Sequence, residues 1–157
     1  MSAPYNRAMT PKADRELLRP LNLRCLDKLE SVGYEHLKLE RPWLTLHIVH
    51  HLDSEVQNGG FHQFFWNYEG ELNEVTQSEL ELIGAKEFVE LFKRAVATAT
   101  EFEVVETKRS SEGDVDEFVA GYETIPWESL DRAFYETSPT LIEYLARYVR
   151  AQASEFE

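Results

Sequence analysis

His47, His51 and Glu55 recur every four residues in the run HIVHHLDSE. On a helix that spacing lines the three side chains along one edge, one turn apart. Imidazole and carboxylate suit zinc or iron, and two ligands one turn apart can share a metal. His62 follows beyond two glycines. A metal-dependent hydrolase is the chemistry such a set would support. Against it, no HExxH is present, and the three positions flank an apolar stripe. The linear alignment also spreads Glu55 away from His47. The competing reading is of histidines at a packed edge, hydrogen-bonded to Gln63 or Asn67.

Other chemistries find less. The chain has no GxxxxGK phosphate loop, no GxGxxG and no GxSxG elbow. Carboxylate pairs such as Glu79/Glu81 and Asp114/Asp116 are too many for any one pair to mark acid–base catalysis. EGDVDE at 112–117 lacks EF-hand spacing and offers at most a weak divalent-cation site. Cys25 is the only cysteine and sits among leucines, where a buried, inert thiol is expected. No catalytic residue is assigned, no cofactor is called for, and a non-enzymatic protein is expected.

The elements that would position these residues read as helices, with little two-residue alternation. Leu17, Leu18, Leu21, Leu26 and Leu29 point to a helix over 12–31 that Pro20 kinks or divides. Gly33 stops it. Leu44, Ile48, Leu52 and Val56, with Val49 beside them, form the buried stripe of a helix opening near Arg41 and Pro42. Asn58-Gly59-Gly60 ends it, since glycine takes a left-handed turn at little cost. Phe61, Phe64, Phe65 and Tyr68 then share one face of a short helix, folded back on its predecessor, while Gln63 and Asn67 share another.

Thr76 or Ser78 is expected to cap a helix through Leu80 and Ile83. Phe88, Val89, Phe92, Val96 and Ala99 mark one over 86–102. Residues 105–114 (VETKRSSEGD) read as an exposed loop. Helices are expected over 116–122 and 128–136, and Ser138-Pro139 is expected to open a separate last helix. The sum is an all-α fold of seven or eight helices: a flexible arm over 1–11, then one domain over 12–157.

With 157 residues the chain can bury a core of its own. No run approaches the roughly 18 apolar residues a membrane span needs. The N-terminal stretch shows no apolar core before a cleavage site, so a cytoplasmic location is expected. Charge is the unusual quantity. Residues 1–68 hold 8 acidic and 8 basic side chains, whereas residues 69–157 hold 21 and 8, so the second half carries 8 − 21 = −13. Such a surface repels nucleic acid and anionic membranes and attracts cationic partners.

The run LDSEVQNGGFHQFFWN, Leu52 to Asn67, resembles the signature of the bacterial DNA-mimic protein family, also carried as a domain of unknown function. Asn58, Gly59, Gly60, Phe61, Gln63, Phe64, Phe65 and Asn67 carry the likeness. LELIGAKEF (80–88) and LDRAFYE (130–136) are similar to later blocks of that family. The resemblance implies an all-helical, dimeric protein of bacterial transcription regulation, whose acidic side chains imitate DNA phosphates and occupy a DNA-binding regulator. The run itself is uncharged between Gln57 and Tyr68, so it sets the fold and is not the mimic surface.

The acidic half must supply that surface. A globule of this length is about 40 Å across, and that length of duplex carries on the order of 23 phosphates. The candidate partner-binding residues are Glu71, Glu74, Glu79, Glu81, Glu101, Glu103, Glu106, Glu112, Asp114, Asp116, Glu117 and Glu123. A competing reading is an interaction or immunity-type protein whose partner is unrelated to DNA and meets Phe65, Trp66 or Tyr68. A third is that the charge serves only solubility.

Overall fold

The computed structural model describes residues 12–157; the arm expected over 1–11 lies outside them. Seven α-helices follow in order: α1 Lys12–Ser31, α2 Trp43–Tyr68, α3 Asn73–Leu82, α4 Lys86–Glu101, α5 Val104–Ser110, α6 Val115–Thr124 and α7 Glu128–Ala151. Short 3-10 turns lie at His36–Lys38 and Ala153–Phe156, and the described residues contain no strand. None of these helices is long and apolar enough to cross a membrane.

Every other helix packs against α2. Its first arm, residues 43–58, buries Leu46, Ile48, Val49, Leu52 and Val56. At Gly59 and Gly60 the backbone leaves helical geometry, and Gly60 takes φ +69°. The second arm, residues 61–68, then runs back along the first. Tyr68 touches His51, and Asn67 touches Glu55. In a straight helix, 17 residues from His51 to Tyr68 would span roughly 25 Å. The expected reversal is therefore present, and it delivers Phe61, Phe64 and Phe65 to the centre of the core. There Phe61 meets Phe134, Phe64 meets Phe92, and Phe65 stacks on Trp127, at centroid distances of 5.6, 5.7 and 5.9 Å. Such edge and stacked pairs add to the burial of their area.

Several expected boundaries are corrected. Pro20 does not divide α1; it stands on the exposed side with Glu16, where the carbonyl that loses its donor faces water. Pro139 does not open a new helix. Leu130, Phe134, Leu141, Leu145 and Val149 form one stripe whose register passes through it, so α7 is continuous. Ser138 is buried inside that helix and accepts a hydrogen bond from Gln57 Nε2 at 2.7 Å. α3 opens at Asn73, ahead of the expected caps, and Thr76 is buried in its interior.

The expected loop over 105–114 contains α5. Buried Val104 anchors that helix, and Lys108 and Arg109 reach Glu69 at the end of α2, at 3.1 and 2.9 Å. Together they hold the carboxyl of Glu69 below the usual carboxylate range. Tertiary anchoring thus outweighs a local sequence with no apolar period.

Candidate functional site

The histidines converge, but not as a metal set. His47 and His51 stack at 5.1 Å between centroids, and His36 from the 3-10 turn joins them at 5.0 Å from His47. His36 Nδ1 and His47 Nε2 share a hydrogen bond at 2.7 Å, and His51 Nε2 pairs with the Tyr68 hydroxyl. Glu55 turns away to accept from Gln63 and Asn67. His62 lies on the other side of the second arm, under α6, where Nε2–H donates to the Phe118 carbonyl at 3.0 Å. His47, His51, Glu55 and His62 therefore form no common site. Among the described residues, no group of three or more His, Cys, Asp or Glu side chains is placed to hold a metal ion.

Burial disfavours the charged imidazole. It holds His36, His51 and His62 below the ordinary histidine value, and His47 falls to about 3, helped by its histidine neighbours. Glu55 opposes the shift at His51, and Glu71 opposes it at His36. Burial also pushes the Tyr68 hydroxyl up to about 12, with Glu55 adding to the effect. The cluster is neutral and polar inside a packed wall.

Residues 58–67 build the hairpin. Asn58 Nδ2 donates to Gln63 Oε1 at 3.0 Å, while Gln63 Nε2 and Asn67 Nδ2 donate to Glu55 Oε2 at 3.1 and 2.8 Å. This clasp spans the two arms of α2. Phe65 and Trp66 are buried, and Tyr68 is half-buried against His51. The aromatic run is thus not an exposed surface for a partner, which corrects that expectation.

The acidic candidates divide sharply. Glu79 is fully buried: Oε1 accepts from Arg41 Nε and Nη2 at 3.1 and 2.6 Å, and Oε2 accepts from Thr45 at 2.7 Å. It is a knot between α3 and α2 and cannot belong to an outer face. The other eleven candidates are all exposed: Glu71, Glu74, Glu81, Glu101, Glu103, Glu106, Glu112, Asp114, Asp116, Glu117 and Glu123. No ion pair among the described residues involves any of these eleven. Five of the eight basic residues of the same half pair with other acids, whereas Lys86, Arg94 and Arg147 form no ion pair among the described residues. Lys108 and Arg109 hold Glu69, Lys93 holds Glu90, Arg132 holds Glu128, and Arg150 holds Asp14.

The charge is therefore concentrated. Residues 101–123, covering the end of α4, all of α5 and most of α6, hold 8 acidic and 2 basic side chains, or 2 − 8 = −6. Both of those cations face Glu69. Asp114 also accepts from the backbone N–H groups of Asp116 and Glu117, capping α6. Exposed, unpaired carboxylates on adjoining short helices can attract a cationic surface and steer it into contact.

α6 carries a further feature that was not singled out in the sequence. It buries no residue, and Val115, Val119 and Tyr122 are 71%, 45% and 48% exposed. Their i, i+4, i+7 spacing was legible as a helical stripe. Its lack of a covering neighbour was not. His36 was missed for a different reason, since only the folded turn brings it to His47.

A family model described as DMP19-like protein matches residues 37–152. No curated protein and no solved structure matches the chain. The matched span covers the hairpin, the acidic corner and all of α7, and on that match the chain belongs to the DMP19-like protein family.

Proposed function

We propose that the protein is a non-enzymatic acidic interaction protein, acting as a homodimer, that occupies the DNA-binding surface of a regulator by presenting carboxylates in place of phosphates. One observation carries this reading: eleven exposed carboxylates have no ion-pair partner among the described residues, and the only two cations within residues 101–123, Lys108 and Arg109, are both engaged with Glu69. Acids present only for solubility would more often be interspersed with free cations. Membership of a DNA-mimic type of family supports the same reading. The acidic corner of residues 101–123 is the contact in this account, with Glu71, Glu74 and Glu81 extending it. A second copy of the chain would lengthen the face.

The test is capture of partners on the immobilised protein from nuclease-treated lysate of its source cells. The expected result is a DNA-binding protein that added duplex releases, with affinity falling steeply as salt rises. A partner indifferent to duplex and to salt would overturn the reading.

A further inference from the structure

The end of α6 and the start of α7 border an open cleft of about 570 Å³, whose lining includes Tyr122, Glu123, Glu128, Asp131, Arg132 and Tyr135. That volume lies in the range of ligand-binding clefts. Asp131 is only 7% exposed. Its Oδ1 accepts the Phe61 N–H at 2.9 Å, and no donor among the described residues reaches Oδ2. Oδ2 rests against Gly60 and is not sealed from solvent, so a donor entering the cleft can reach it. Burial raises the pKa of Asp131, opposed only by the Phe61 hydrogen bond.

The surrounding charge has the same sign. The lining holds three carboxylates and one cation, 1 − 3 = −2, and Glu128 holds that cation, Arg132, at 2.5 Å. Two phenol rings complete the lining. Tyr122 is half exposed at the rim, and Tyr135 is anchored by donating to the Val56 carbonyl at 2.9 Å. Residues 112–125, which run along α6 to this rim, hold five acidic and no basic side chains.

We propose that this cleft receives the guanidinium of an arginine side chain presented by the partner protein, paired with Asp131 and stacked on Tyr122 and Tyr135. Arginine fits better than lysine because its planar, weakly hydrated head stacks on rings and donates several hydrogen bonds at once. The exposed ridge of Val115, Val119 and Tyr122 gives the flanking apolar residues of the partner a seat. The identity of the occupant rests on the function proposed above; the cation site itself does not.

The experiment titrates the full chain with N-acetyl-arginine amide and follows backbone amide shifts. The expected result is saturable shifts confined to residues near 121–135, at least about tenfold weaker with the neutral citrulline analogue and weaker with the lysine analogue. Asp131→Asn is expected to abolish them. Because that change also weakens the Phe61 contact, Tyr122→Ala and Glu128→Gln at the exposed rim provide independent checks, each weakening binding severalfold.

Equal response to citrulline, shifts spread over the whole acidic surface, or indifference to both rim variants would overturn the proposal. Tighter binding of free arginine than of the capped amide would make the cleft a small-molecule site and end the partner assignment. Arginine binding in a protein whose captured partner ignores duplex would retain the cleft and end the proposed function. A silent cleft with a duplex-sensitive partner would do the reverse.

Discussion

Gly60 lies directly against the carboxylate of Asp131. A Cβ at Gly60 would stand 2.4 Å from Asp131 Oδ2, while the next residue, Phe61, donates its N–H to Oδ1 at 2.9 Å. A buried acid on α7 thus caps the second arm of α2 across 70 residues of sequence, and it can do so only where the chain has no side chain.

Gly60→Ala is therefore expected to be severe. It places a Cβ at φ +69° and into a buried carboxylate, a loss on the order of 3 kcal/mol. Gly59→Ala meets Gln63 Oε1 at 2.1 Å, which can move at the expense of its bond to Asn58, and Gln63 Cβ at 2.9 Å, which cannot; with a negative φ it is expected to cost about 1–2 kcal/mol, less than Gly60→Ala. Urea denaturation of both variants checks the contrast. Equal losses would contradict this account of the hairpin.

The Arg41–Glu79 pair is asymmetric, because Glu79 is fully buried and the Arg41 side chain is 52% exposed. Arg41→Ala strands a buried carboxylate with only Thr45 as donor, and a loss of about 3 kcal/mol is expected. Glu79→Gln leaves a solvated guanidinium and should cost less. Thermal denaturation of the two variants measures the order, and the reverse order would contradict the burial argument.

Four histidines, His36, His47, His51 and His62, have folded pKa values below the ordinary one. The unfolded chain therefore binds protons first as pH falls. Their contribution is fully present above about pH 6.5 and is lost as pH drops toward the folded values. Each histidine kept neutral removes up to about 1.4 kcal/mol per pH unit below that point. Unfolding midpoints between pH 7 and 5 should fall, and His47→Gln should flatten the slope. A pH-independent midpoint in that window would sink the prediction.

Cys25 is 2% exposed beneath Trp43, and burial pushes its thiol up to about 11. A thiol-specific reagent should label the native protein only at the rate of unfolding. Immediate labelling without denaturant would show that α1 is not docked as described.

Much of the fold was legible because it rests on local periodicity. The stripe ending at Val56, the glycine pair and the aromatic face after it placed the hairpin from spacing alone. Pro139 and the polar run 105–114 misled for one reason, that tertiary contacts overrode a local signal, whereas Pro20 is tolerated because it stands on the exposed side of α1. Pro139 sits inside an unbroken apolar register, and Val104 with the Glu69 ion pairs holds α5 in a sequence lacking helical period. At the site, total charge was legible but exposure was not. Nothing in the spacing separates Glu79 from Glu81, yet Arg41, 38 residues earlier, draws the first inside.

The central claim is that the acidic corner, rather than net charge, makes the contact. The most direct measurement compares Glu106→Gln/Glu112→Gln/Glu117→Gln with Glu30→Gln/Glu143→Gln/Glu155→Gln, which removes the same charge elsewhere. Each is titrated against the captured partner at two salt concentrations. The account predicts that the first variant loses affinity and salt dependence while the second binds as the parent protein does. Equal losses in both, or no loss in either, would contradict it.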